Sequence, residues 1–121
     1  MKFVAIVAGI AVIAAAGSAS ALEINDTEYL TAVRCHALAG SALIGADTTA
    51  VDALIRDQRY GRSPNIQDRA KSERSRAARQ ARSPDVAVQA QLRQEVADAC
   101  QIWLGGAESV QRARAQAGPA D

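Results

Sequence analysis

The chain has 121 residues and a formal net charge of +1, which is one small domain's worth of sequence. A single histidine leaves no HxxxH or ExxH metal geometry to find. Apart from Phe3 the aromatics are Tyr29, Tyr60 and Trp103, so the core must be built from Leu, Ile, Val and Ala, and a domain this thinly filled often needs a staple.

Residues 1–21 read as a cleavable export tag. Met1-Lys2 is a short basic start, and Phe3 to Ala16 is apolar and uncharged. Gly17-Ser18-Ala19-Ser20-Ala21 then ends in the A-x-A pattern that a signal peptidase cuts. An uncleaved membrane anchor is the competing reading, but the apolar run is shorter than the roughly 20 residues a spanning helix needs. Export predicts a periplasmic or secreted bacterial protein starting at Leu22, with one helical domain over 22–116 and a flexible tail over 117–121. In an oxidising compartment the two cysteines, Cys35 and Cys100, default to a disulfide.

Strand signals are weak and helix signals recur. Asn25 to Glu28 has the form of a capping box, with Ile24 placed to staple onto Tyr29. Leu30, Val33, Ala37, Leu38, Ser41 and Ile44 then share one face, and Gly45 is the expected stop. A short second helix is predicted after Asp47-Thr48-Thr49, burying Val51, Leu54 and Ile55 and closing at Tyr60-Gly61. Ser63-Pro64 and Ser83-Pro84 each read as a capping serine followed by proline at the first helical position. After Ser83, Val88, Leu92, Val96, Ala99 and Trp103 form an amphipathic stripe that Gly105-Gly106 interrupts. The fold class expected is therefore all-α, a small three- to four-helix up-and-down bundle with one interhelical disulfide.

Charge is distributed unevenly along this plan. Residues 56–82 hold nine basic side chains and three acidic ones, a local net of +6. Between Gln67 and Arg82 there is no large hydrophobic residue, only alanines and polar or charged side chains. Such a helix is expected at the surface, weakly anchored. Arg69, Lys71, Arg74, Arg76, Arg79 and Arg82 are the candidate anion-binding residues, because guanidinium and ammonium groups suit phosphates and carboxylates. The competing interpretation is a solvated helix that neutralises the acidic helices of its own chain. Nucleic acid is a poor partner, since no aromatic interleaves these cations to stack on bases.

Catalytic signals are absent. Cys35 and His36 are adjacent, so on a helix they point about 100° apart and cannot readily act as a pair. Glu95 and Asp98 are three residues apart, as helical carboxylates routinely are. No nucleophile elbow, phosphate-cradling glycine loop, metal site or cofactor motif is present. An exported, helical chain of this size with one disulfide between distant helices resembles the small periplasmic acid-stress chaperones of the HdeA type. That resemblance is one of overall plan, carried by Cys35 and Cys100 alone, and it implies a holdase activity. The first expectation remains a non-enzymatic binding protein for an anionic envelope component or an acidic protein; an enzyme without a recognisable motif is the third.

Overall fold

The computed structural model describes residues 22–118. The expected tag over 1–21 and the last three residues of the expected tail lie outside the described residues. The described chain is all-α and is pinned by a Cys35–Cys100 disulfide.

Helix α1 (Asp26–Ala39) starts where its local chemistry requires. The Asn25 side chain accepts from Glu28 N at 2.8 Å, and Glu28 Oε1 accepts from Asn25 N at 3.0 Å. These two bonds satisfy otherwise orphaned donors of the first turn. Ile24 and Tyr29 are buried in one apolar cluster, as a hydrophobic staple demands. The helix ends earlier than expected, at Ala39. Ser41 Oγ donates to Leu38 O at 2.6 Å, and Ala46 N donates to Ala39 O, so the chain turns before Gly45.

Helix α2 (Thr49–Gln58) runs back along α1 and buries Val51, Leu54 and Ile55. Its end meets the start of α1: Gln58 Nε2 donates to Leu22 O at 2.8 Å. Arg62 then ties this corner shut. Its guanidinium donates to Ile24 O, Gln58 O and Asp26 Oδ1, and lies 4.9 Å from the Tyr29 ring centroid.

Helix α3 (Pro64–Ala81) opens as expected, with the Ser63 side chain accepting from Ile66 N and Pro64 in the first turn. Its placement differs from the sequence expectation of weak anchoring. It is the most extensive packing partner of α1 and runs parallel to it. Ile66 and Ala70 join Tyr29 and Val33 in the lower cluster, and Ala77 joins Leu38 in the upper one. Methyl groups bury little area each. What they permit is close approach of two helix backbones along a seam.

Helix α4 (Val86–Glu95) begins two residues later than Ser83-Pro84 suggested. Asp85 is the cap: its Oδ1 accepts from Ala87 N at 2.9 Å, while Ser83 Oγ accepts from Asp85 N. The rod continues through a π turn (Val96–Cys100) into α5 (Gln101–Leu104). It starts against α3, packs its π turn and α5 on α1, and reaches α2, so it straps across α1.

The π turn explains a departure from the expected stripe. Val88, Leu92, Val96, Cys100 and Leu104 recur every fourth residue, and at 3.6 residues per turn each step drifts about 40° off the face. A π turn carries more residues per turn and cancels part of that drift. Cys100 is consequently fully buried and Ala99 exposed.

Helix α6 (Gly106–Ala117) then returns beside α2. Gly106 has φ +74°, and a Cβ there would sit 2.9 Å from Ala50 O. Only glycine allows that approach. Val110 is the helix's one large buried side chain, and Arg114 anchors its far end by donating to Glu23 O and to both Glu28 carboxylate oxygens.

The Glu28 contacts make the α1–α6 junction acid-sensitive. Partial burial opposes ionisation of Glu28, but the Asn25 N–H, the Arg114 guanidinium and the nearby Arg62 charge outweigh it, lowering the carboxyl below its usual 4.5. A depressed carboxylate stabilises the fold above its unfolded value and loses that contribution as pH falls through the folded value. Urea unfolding at stepped pH should therefore show stability declining below about pH 4.5, the ordinary carboxylate range. Glu28→Gln should lower stability at neutral pH and flatten that decline; an unchanged acid limb would show that Glu28 does not set it.

Candidate anion-binding face

The inner face of α3 is committed to α1, which turns its remaining side chains outward. Lys71, Ser72, Ser75, Arg76 and Arg79 line a shallow groove of about 270 Å³ along the outer face. All five are exposed, and no carboxylate lines the groove. Arg82, at the C-terminal cap of α3, borders a neighbouring hollow floored by Ala78, Ala81 and Gly40.

The six cations predicted from the sequence are thus divided. Lys71, Arg76 and Arg79 are brought together, with Arg82 just beyond them. Arg69 lies on one flank, in a groove between α1 and α3 that also contains Asp26, Arg34 and Glu73. Arg74 lies on the other flank, where its charge acts on Asp52 of α2. Ser72 and Ser75 were not singled out by sequence; two serines in a helix carry no signal until their neighbours are placed.

Ion pairing separates structural from uncommitted cations. Arg34 forms a two-pronged bond with Glu95, at 2.7 and 2.9 Å, linking α1 to α4. That contact, working against partial desolvation, raises the Arg34 pKa further. Arg62 holds Asp26 at 2.8 Å and Arg114 holds Glu28 at 2.9 Å. Asp52 is bonded by Arg56 and lies 3.5 Å from His36 Nε2. The Arg56 hydrogen bond is the main reason the Asp52 carboxyl is lowered; slight desolvation opposes it, and the charges of Arg56, His36 and Arg74 reinforce it.

On α3 the one such pair is Arg76 with Glu73, one turn apart at 3.6 Å. Among the described residues Lys71, Arg79, Arg82 and Arg69 have no carboxylate within 4.0 Å. The acidic residues of α1 and α4 are held by cations from outside the outer face of α3.

Chemistry elsewhere is limited by the same geometry. Cys35 is in the disulfide, so its sulfur is no nucleophile beside His36. Among the described residues no group of three His, Cys, Asp or Glu side chains gathers closely enough to hold a metal ion. None of the described helices is long and apolar enough to cross a membrane. No family model, no curated protein and no solved structure matches this chain. The functional reading rests on its own residues.

Proposed function

We propose that this chain is an exported, non-enzymatic binding protein that presents the outer face of α3 to an anionic envelope component or an acidic protein. The observation that carries the reading is the set of exposed cations left without carboxylates among the described residues, Lys71, Arg79 and Arg82, on a helix whose other face is docked. Exposed cations that nothing neutralises raise the local concentration of anions and speed their encounter. Export is supported by the tag pattern in residues 1–21 and is compatible with the disulfide. A holdase would have to expose its apolar surface by loosening of the bundle, since in the folded state the exposed large hydrophobics among the described residues are three single side chains on separate elements, Tyr60, Val86 and Ile102.

Charge reversal tests the reading. The triple variant Lys71→Glu, Arg76→Glu, Arg79→Glu should weaken binding to a polyanion at 0.1 M salt by at least about tenfold. Its far-UV circular dichroism should match the parent, because all three sites are exposed and glutamate is a good helix former. Binding that survives the reversal removes the proposal.

A further inference from the structure

The groove on α3 contains more than charge. Ser75 stands one helical turn from both Lys71 and Arg79, and Ser72 stands one turn from Arg76. Among the described residues neither hydroxyl makes a hydrogen bond, although the Thr31 hydroxyl bonds back to a carbonyl of its own helix. The groove is therefore lined by two uncommitted hydroxyl donors set between an ammonium and two guanidinium groups. A carboxylate has two oxygens in one plane, and a single guanidinium fork engages both of them from one side. A phosphate presents its oxygens in several directions and can use cations and hydroxyls together.

Length adds a second constraint. From Lys71 to the capping Arg82 the cations extend over eleven residue steps, about 16 Å at 1.5 Å per step. That is several phosphate groups long. The strip has no large apolar side chain with which to enter a bilayer.

We propose that the outer face of α3 seats successive phosphate groups of a linear phosphate polymer. Lys71, Arg76, Arg79 and Arg82 supply the charge, and the Ser72 and Ser75 hydroxyls select phosphate over carboxylate. This rests on the reading of α3 as the anion-binding face and adds to it the chemistry of the ligand.

The test titrates the mature, disulfide-bonded protein with inorganic polyphosphate, with polyglutamate of matched charge, and with phosphatidylglycerol vesicles. The parent should bind polyphosphate at least about tenfold more tightly than polyglutamate, the effect of even one net hydrogen bond of ordinary strength. Ser72→Ala with Ser75→Ala should erase that preference and leave polyglutamate binding unchanged; alanine at two exposed helical sites leaves folding intact. Equal affinity of the parent for both polymers, a preference that survives the serine substitutions, or tighter binding to vesicles than to polyphosphate would each overturn the phosphate-polymer assignment alone. Polyanion binding indifferent to the triple charge reversal would overturn the anion-binding face itself.

Discussion

Alanine at both Cys35 and Cys100 should lower stability by about 4 kcal/mol, and the thermal midpoint by roughly 20 °C. The bridge joins residues 65 apart in sequence, with Cα atoms 5.4 Å apart. The loop it closes contains α2, α3 and α4 entire. In the chain-entropy account, reduction returns that whole loop to the unfolded ensemble. The upper apolar cluster has little to offset the loss. Besides the two cysteines its buried members are Leu38, Ala77, Leu92 and Val96. Melts of the oxidised protein and the double variant, followed by circular dichroism, measure the difference directly. A change below about 1 kcal/mol would show that packing and not the bridge holds the strap onto α1.

Tyr29→Ala should cost about 4 kcal/mol, by removal of a buried aromatic ring. Tyr29 is 1% exposed and is the largest fully buried side chain among the described residues. It sits where Ile24, Ile66 and Val110 converge from three different segments. The ring also supports Arg62, whose side chain is only 12% exposed and whose guanidinium closes the corner between α1 and α2. Tyr29→Leu separates the two roles. It keeps most of the apolar volume and removes the aromatic face, so it should cost about 1 kcal/mol for the lost cation–π contact plus a small repacking term. Urea unfolding of both variants gives the comparison. Equal losses would mean that ring support of Arg62 outweighs the cavity.

Much of the fold was legible because its decisive signals are local. The capping box at Asn25, the Ser63-Pro64 start and the apolar triplet of α2 are set by neighbours within one or two turns. The disulfide was legible for a different reason, since two cysteines behind an expected export tag have few alternatives. Errors arose where two local solutions compete. Ser83 and Asp85 can both cap α4, and the aspartate bonded directly into the first turn. Gly45 looked like the stop for α1, but the Ser41 hydroxyl ended it earlier.

The π turn was hidden because Ala99 and Cys100 are adjacent and both small. The choice between them depends on how far the rod unwinds against α1. Docking of α3 was hidden too. Alanines at 70 and 77 look like helix propensity until a partner helix is present to use the space. The site was half legible. Counting charge located the basic segment, but the division of its cations among two flanks and an outer face is tertiary. So is the commitment of Arg34, Arg62 and Arg114 to carboxylates distant in sequence.

The alanine seam also has an evolutionary consequence. Since the buried side chains of α3 are Ile66 and two alanines on its inner face, exchanges at the exposed positions 71, 72, 75, 76 and 79 should be energetically independent of the interior. Selection could then retune the exterior for a different counter-ion, residue by residue, without passing through misfolded intermediates. Such a scaffold would let ligand preference diverge faster than architecture.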